Sequence, residues 1–183
     1  QVCRAGTFDG NGDYIGVTDF PVNLSTTASL SFWLKTRQTG GWAKFAPGIT
    51  GFFSESNTAN NILWGFIDTS GRIGIKKGTG SAAKSTNPVN DGKWHHIVLT
   101  RNSSTGAAQV FVDGGALNVG VGNQKSAYSD SGDVATPFSS IGRIEHAPVA
   151  NSKYFNGELD EVLVFDSVIA DSDVLTIYEN QLA

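Results

Sequence analysis

The sequence has no run of basic residues and no long apolar segment. Only 16% of its 183 residues are charged, the formal net charge is −4, and Lys76-Lys77 is the one place where two basic residues are adjacent. Nucleic acids and anionic membrane surfaces require a concentrated basic patch, so this pattern argues against both as partners. A membrane-spanning helix needs about 20 consecutive apolar residues, and no segment approaches that length. We therefore expect neither nucleic-acid binding nor membrane insertion.

Cysteine is almost absent as well, because Cys3 is the single example. Cys3 is either half of a disulfide whose partner lies elsewhere in a parent protein, or a lone thiol. Gln1 is not an initiator methionine, and the residues after it do not form a signal peptide. From these features we expect the chain to be a processed or excised piece of a larger protein.

Glycine and turn-forming polar residues are abundant, with 22 glycines in the chain. Such a composition favours short strands joined by turns and predicts an all-β protein. The clearest element is a β-hairpin, in which residues 97–100 and 109–113 alternate with the period of two that a strand requires. Asp91-Gly92 and Asp113-Gly114 mark its outer ends. A chain of this length buries roughly 70% of its unfolded surface, so we expect one domain.

Several motifs resemble one family of proteins. They are FDGNGDYI at residues 8–15, SFWLKT at 31–36, DGKWHHIVLTRN at 91–102, VFVDG at 110–114 and FNGELDEVLVFDSVIADSDV at 155–174. Their order resembles that of the laminin-G-like jelly-roll domains of the concanavalin A-like lectin/glucanase superfamily. The resemblance implies an all-β, two-sheet antiparallel jelly-roll sandwich over residues 1–183. We also expect one short C-terminal helix, for which Asp171 supplies the N-cap.

A second resemblance concerns the setting of the domain. CRAGTFDG at residues 3–10, GRIGI at 71–75 and SSIGRIE at 139–145 resemble a domain of bacterial pilus-biogenesis proteins of the mannose-sensitive haemagglutinin type. This resemblance implies an exported protein at the bacterial cell surface, in which other domains of the parent protein are partners.

The same fold carries binding modules and hydrolases, so function has to be argued from a site. We expect a non-catalytic module that recognises a glycan or another surface ligand. The first alternative is a structural or docking domain of a pilus protein, and the second is a glycoside hydrolase.

Asp9, Asn11 and Asp13 place three oxygen-bearing side chains on one tight loop, and Ca²⁺ is bound by such oxygens. The loop is not an EF-hand, because Tyr14 stands where the sixth loop position requires glycine. The residues alone leave two interpretations open, a calcium loop and a plain glycine-rich β-turn. The family resemblance implies a structural Ca²⁺ near the join of the terminal strands, where Asp160 would close the site.

The candidate ligand-binding residues lie mostly on predicted loops. Residues 38–48 are rich in glycine and predict a loop carrying Trp42 and Phe45, whose rings either stack on a sugar or plug the core. Asn60 belongs to an amide-rich loop that either hydrogen-bonds sugar hydroxyls or forms a plain turn. Arg143 and Glu145 share one face of a predicted strand, where they either pair with each other or contact a ligand.

Trp33 and the two adjacent histidines have structural interpretations beside the functional ones. Trp33 lies on a predicted strand, where it either offers a sugar-stacking platform or packs in the sheet. His95 and His96 point to opposite faces of their strand, so they cannot bind one metal from the same side. We expect positions in the core or at its rim and no zinc site.

The sequence lacks the paired carboxylates of a glycosidase. For hydrolases of this fold the resemblance implies the pattern Glu-x-Asp-x-x-Glu, and retaining enzymes need two carboxyl groups about 5 Å apart. Here Glu158 and Asp160 begin the pattern, but Leu163 occupies its last position, and Glu161 points to the opposite face of a regular strand. No Gly-x-Ser-x-Gly motif is present either. We expect that the chain is not an enzyme.

Overall fold

The computed structural model describes residues 5–17, 24–39, 44–50, 53–54, 62–77, 82–115, 124–126, 131–133, 138–144, 146–147 and 153–182. These residues form short strands and one C-terminal helix. In chain order the elements are β1 (Gly6–Asp9), β2 (Ile15–Gly16), β3 (Ala28–Lys35), β4 (Lys44–Thr50), β5 (Phe53–Ser54), β6 (Ile62–Ile67), β7 (Ile73–Lys77), β8 (Ala82–Lys84), β9 (Trp94–Arg101), β10 (Ala108–Val112), β11 (Gln124–Ser126), β12 (Phe138–Ile141), β13 (Arg143–Ile144), β14 (His146–Ala147), β15 (Lys153–Tyr154), β16 (Asn156–Phe165) and α1 (Asp171–Leu182).

Most strands of the described part belong to two six-stranded sheets. Sheet A has the order β1-β16-β3-β9-β10-β11, and sheet B has the order β2-β12-β4-β6-β7-β8. Neighbouring strands pair antiparallel in both sheets. Strands distant in sequence are neighbours, so the chain crosses between the sheets as a jelly roll requires. The predicted antiparallel sandwich with a C-terminal helix is therefore confirmed.

The predicted hairpin lies in the middle of sheet A. Its arms β9 and β10 pair from Ile97 with Val112 to Arg101 with Ala108, and β3 pairs with the other edge of β9 along its whole length. The turn is held by the Asn102 side chain, whose Oδ1 accepts hydrogen bonds from the backbone N–H groups of Ser104 and Thr105 at 3.0 and 3.1 Å. This Asx-type turn is the chemistry that the sequence predicted.

The core lies between the two sheets and follows the strand period. Leu30, Phe32 and Leu34 of β3 are fully buried and pack with fully buried residues of the facing sheet such as Trp64 and Ile75. Alternate residues of a strand point to opposite faces, so the residues between them lie on the outer face of sheet A. The prediction that Leu30, Phe32 and Leu34 share one face is confirmed.

Helix α1 covers part of that outer face. It begins at Asp171, with Asp173 also in its first turn, where acidic side chains favour the positive end of the helix dipole. Val174 packs with Val98 and Phe111 of the central hairpin. Among the described residues, no helix has the length and apolar character that crossing a membrane requires.

Two predicted boundaries need correction. Phe45 was expected on a loop, but it lies in β4, because the strand accommodates Pro47 at a register shift between Phe45 and Gly48 and proline is tolerated at such irregularities. The strand expected at residues 140–145 is interrupted at Gly142, which has a φ of +82°. Its two parts, β12 and β13, pair with different neighbours.

Candidate functional site

Three of the predicted ligand-binding residues, Trp42, Asn60 and Glu145, lie outside the described residues. Phe45 lies within β4, as noted above. Arg143 is half-buried in β13, and its guanidinium carbon lies 3.7 Å from the ring centroid of Tyr14. This stacking covers one face of the guanidinium group. In the predicted ligand-binding role, Arg143 would therefore contact a ligand through the edge of that group.

The acidic loop after β1 is shaped by its own side chains. Asp9 Oδ1 accepts a hydrogen bond from the Asn11 backbone N–H at 2.7 Å, and Asp13 Oδ2 accepts one from the Asp9 backbone N–H at 3.0 Å. The other oxygen of each carboxylate has no hydrogen bond to a described residue. The loop therefore has the geometry of a turn and keeps carboxylate oxygens that fit a hard cation such as Ca²⁺.

Asp160 does not join this loop. Asp9 pairs with Asn156 across β1 and β16, so Asp160 stands four residues further along β16. At about 3.4 Å per residue the two backbone positions are about 13 Å apart along the strand. Within the described residues no cluster of three or more His, Cys, Asp or Glu side chains could hold a metal ion. The register thus brings Asp9, Asn11 and Asp13 together and separates Asp160 from them.

A polar strip crosses the outer face of sheet A beside the acidic loop. Lys35 Nζ lies 2.8 Å from Glu158 Oε1 and 5.8 Å from the ring centroid of Trp94. These residues share one face because Lys35 is paired with Glu158 on one side and with Trp94 on the other. We call Lys35, Arg37, Trp94, Asn156 and Glu158 the Trp94 strip.

Trp94 differs from the other tryptophans of the described part of the chain. It is 37% exposed, whereas Trp64 is fully buried. Trp33 is half-buried under α1, where its Nε1–H donates to Gln181 Oε1 at 2.8 Å and its ring stacks on Tyr178. The prediction that Trp33 packs in the sheet is confirmed, and among the tryptophans of the described residues Trp94 is the exposed one.

A cavity of about 380 Å³ lies at the end of the strip. It is lined by Asp9, Gly10, Arg37, Gln38 and Asn156. Its walls are held by hydrogen bonds between strands distant in sequence: Asn156 Nδ2 donates to the Asp9 carbonyl at 3.0 Å, and the Asn156 N–H donates to Gln38 Oε1 at 3.1 Å. This interlocking makes the cavity a preformed polar site of the size that small ligands use.

Sequence reasoning missed Arg37, Gln38 and Trp94 as site residues. One signal was available for Trp94: it opens β9 just after the Asp91-Gly92 turn, where a strand end is less covered by neighbours. No local signal joins Arg37 to Asp9 and Asn156, because the cavity depends on the order of strands in sheet A.

The two histidines occupy the positions expected of core and rim residues. His95 Nδ1 lies 2.9 Å from Asp113 Oδ2, and its Nε2 lies 3.2 Å from Asp91 Oδ1. The hydrogen bond with Asp113 raises the pKa of His95 above its usual value. His96 is fully buried beneath α1, and this burial lowers its pKa to about 4. His95 therefore ties the two ends of the central hairpin together.

The part of β16 that would carry a glycosidase centre has a different set of side chains here. A bulge at Glu161, which has a φ of +49°, shifts the register so that Glu158, Asp160 and Leu163 pair with the outward-facing residues of β3, which are Lys35, Trp33 and Ser31. The expected geometry of the pattern is thus present, but Leu163 brings a methyl-bearing side chain where a second carboxylate would stand. Glu158 is held in the ion pair with Lys35.

Comparison with known proteins identifies the family. A laminin-G family model, described as the concanavalin A-like lectin/glucanases superfamily, matches residues 9–175. No curated protein matches the sequence.

Solved structures resemble the fold across nearly the whole chain. A heptameric SAP-like pentraxin from Limulus polyphemus superposes with a TM-score of 0.64 at 13% identity, over 94% of this chain and 80% of the pentraxin chain. A Trypanosoma rangeli sialidase in complex with the inhibitor DANA gives 0.62 at 14% identity, over 97% of this chain and 28% of the sialidase. Domain 4 of AbnA, a GH43 extracellular arabinanase from Geobacillus stearothermophilus in complex with arabinotriose, gives 0.57 at 15% identity, over 94% of this chain and 87% of that one. At these identities the likeness shows the fold alone.

Proposed function

This chain belongs to the concanavalin A-like lectin/glucanases superfamily, and from that premise we propose that it is a non-catalytic recognition module whose ligand is a saccharide. The observation that carries the proposal is the Trp94 strip, in which an exposed indole ring on β9 neighbours Lys35 of β3 and a polar cavity opens beyond the end of β3, beside β1 and β16. An exposed aromatic ring offers an apolar surface to the C–H face of a sugar, and the polar neighbours fix its hydroxyl groups.

Similar folds support this class of ligand. The arabinanase domain that superposes on this chain was solved with arabinotriose, which is a saccharide. The proposed ligand of this chain is argued from its own strip and cavity, because residue roles do not transfer at such low identity.

A non-catalytic role fits the chemistry of β16. Both mechanisms of glycoside hydrolysis use two carboxyl groups across the scissile bond. Leu163 replaces one carboxylate of the pattern, and the Lys35 ammonium group holds Glu158 in an ion pair. We therefore propose that the saccharide is bound and released without being hydrolysed.

The test is a glycan array followed by calorimetry on the hits, with and without Ca²⁺. Trp94→Ala is expected to weaken binding at least tenfold, because the stacking surface is removed. Tyr14→Ala is the matched control, since Tyr14 is an aromatic residue, 45% exposed, that stacks on Arg143 and is not a member of the strip. Equal binding by wild type and Trp94→Ala, or no hit on the array, would contradict the proposal.

The second candidate is a structural or docking domain of a pilus protein. It is favoured by Tyr14 and Ile15, which are 45% and 52% exposed at the edge strand β2 of sheet B. Adjacent exposed apolar residues on an edge strand suit a protein neighbour. In that case the wild type would bind no saccharide. Trp94→Ala, and likewise alanine at the predicted loop residue Trp42, would leave this result unchanged.

Calcium and location complete the proposal. We propose that the loop of Asp9, Asn11 and Asp13 holds a structural Ca²⁺, supported by its free carboxylate oxygens and its position on the wall of the cavity. An exported bacterial surface location, within a larger pilus-associated protein, is supported by the sequence motifs. Fractionation of cells that express the parent gene would contradict it by finding the protein in the cytoplasm alone.

A further inference from the structure

Arg37 is an exposed cation that packs against glycine backbone. It lies two residues after the end of β3 and lines the cavity. Gly92 lies against it so closely that a Cβ atom at that position would meet Arg37 Cζ and Nε at 2.7 Å. Gly92 has a φ of +83° and its N–H donates to the Thr36 carbonyl at 2.9 Å. The guanidinium group therefore packs on a part of the backbone that a side chain would push away.

The Arg37 guanidinium has no acceptor among the residues that the structure describes. Other cations of the described chain are paired: Lys35 with Glu158 at 2.8 Å, and both Arg72 and Lys84 with Asp68 at 2.9 and 3.0 Å. Five N–H donors in a planar fork match the bidentate geometry of a carboxylate or a phosphate. The cavity therefore offers a guanidinium group whose charge-assisted hydrogen bonds no described side chain accepts.

The remaining polar groups of the cavity are largely committed to one another. Gln38 uses both ends of its amide, since Nε2 donates to the Tyr154 carbonyl at 3.1 Å and Oε1 accepts from Asn156. Asn156 Nδ2 donates to the Asp9 carbonyl. Asp9 also lines the cavity, and when its loop holds no Ca²⁺ its carboxylate disfavours ligands with two negative charges, such as phosphate monoesters, more strongly than ligands with one. A single negative charge on a polyhydroxyl frame fits this lining best.

We infer that the ligand class is an acidic saccharide, whose carboxylate binds the Arg37 fork while a neighbouring sugar ring contacts Trp94. The inference rests on the proposed saccharide function and names its substrate class. Arg37 follows Lys35 by two residues, about 7 Å along the chain, and Trp94 pairs with Lys35 on the neighbouring strand, about 4.8 Å away. Both separations are of the order of one sugar ring, so a short oligosaccharide can reach both Arg37 and Trp94.

The experiment compares acidic oligosaccharides with their methyl esters by calorimetry, using trigalacturonate and a glucuronate-containing trisaccharide as probes. Esterification removes the charge and keeps the sugar. We expect the free acids to bind at least tenfold more tightly than the esters, and Arg37→Gln to remove that difference. Arg37→Lys, which keeps the charge and loses the fork, is expected to recover only part of it. A sulfated trisaccharide tests whether the planar carboxylate or any monoanion is preferred.

Lys93→Gln is the matched control. Lys93 lies on the same turn as Gly92 but outside the cavity, and its exposed Nζ lies 3.7 Å from Asp91 Oδ2. It is expected to keep the preference for the free acid. Binding of neutral saccharides that depends on Trp94 and not on Arg37 would overturn this inference and leave the recognition function standing. Absence of all saccharide binding would overturn both, and equal binding of acid and ester would overturn the acidic class alone.

Discussion

At the scale of single residues, His96 is a buried base with one unsatisfied nitrogen. Its Nε2 lies 2.9 Å from Ser31 Oγ, whereas Nδ1 has no hydrogen-bond partner within the described chain. Its ring lies between Trp33 and Tyr178, with centroid distances of 5.3 and 5.7 Å. Burial lowers its pKa to about 4, so the histidine is neutral at pH 7 and protonation has to bring a charge under the helix.

Stability is therefore expected to fall as the pH drops from about 6.5 towards 4. In that interval the unfolded chain binds a proton at His96 and the folded chain does not, so the free energy of unfolding decreases by about 2 kcal/mol by pH 4.5. His96→Phe keeps an aromatic ring and removes the titration. Chemical denaturation of both proteins at pH 7 and pH 4.5 should show a smaller loss in the variant. Equal losses would show that His96 does not carry the acid sensitivity.

Gly142 provides a second prediction at this scale. Its φ is +82°, and a Cβ atom there would lie 2.5 Å from the ring of Phe8, a buried core residue. Gly142→Ala is expected to lower the free energy of unfolding by about 3 kcal/mol, through backbone strain and displacement of the ring.

Gly12→Ala is the control, because its φ of +102° carries the strain while nothing lies within 4 Å of the added Cβ. Urea denaturation should show a clearly smaller loss for Gly12→Ala. Similar losses for the two variants would mean that the contact with Phe8 contributes nothing.

At the scale of elements, helix α1 acts as the cover of the outer face of sheet A. Tyr178 joins the two, since its ring stacks on Trp33 at 5.8 Å and on His96 at 5.7 Å between ring centroids. Tyr178→Ala is expected to lower the free energy of unfolding by about 2 kcal/mol. It should also raise the pKa of His96 towards 6.5, because water reaches the imidazole ring.

An NMR titration of His96 measures this change directly. Thr176→Ala is the control, since Thr176 lies on the same helix with an exposed side chain whose Oγ1 donates only to the Ser172 carbonyl. Its His96 pKa is expected to match that of the wild type. An unchanged His96 pKa in Tyr178→Ala would show that the helix does not shield the histidine through this ring.

The sequence predicted the secondary-structure elements better than the tertiary contacts between them. The period of two identified the inner face of β3, and the Asx chemistry of residues 102–106 identified the hairpin turn, because both signals are local. Phe45 was misplaced because glycine and Pro47 indicated a loop, whereas a bulge admits the proline into β4. The cavity escaped prediction because Asp9, Arg37 and Asn156 meet only through the strand order of sheet A.

At the scale of the whole molecule, bound calcium is expected to raise thermal stability. A ligand that binds only the folded state stabilises it by mass action, by about 2.7 kcal/mol at a hundred times its Kd. For a chain of this size that corresponds to a rise in Tm of about 5 °C or more. Scanning calorimetry of metal-stripped protein, with and without millimolar Ca²⁺, measures the change.

Asp9→Ala is expected to abolish the rise. Asp160→Asn is the matched control, because the register places Asp160 about 13 Å along the strand from the position paired with Asp9. Its response to Ca²⁺ should equal that of the wild type. A Tm of the wild type that does not change with Ca²⁺ would leave residues 9–13 as a plain turn.

The pairing of β1 with β16 also has a consequence for how the molecule folds. Gly6 faces Leu159 across this ladder, so its hydrogen bonds join positions separated by most of the chain. Closing a loop of this length costs conformational entropy before any contact forms, and proteins dominated by such distant pairs fold in milliseconds to seconds. We therefore expect sheet A to be completed late on the folding pathway, and the wall that β1 and β16 give to the cavity to form with it.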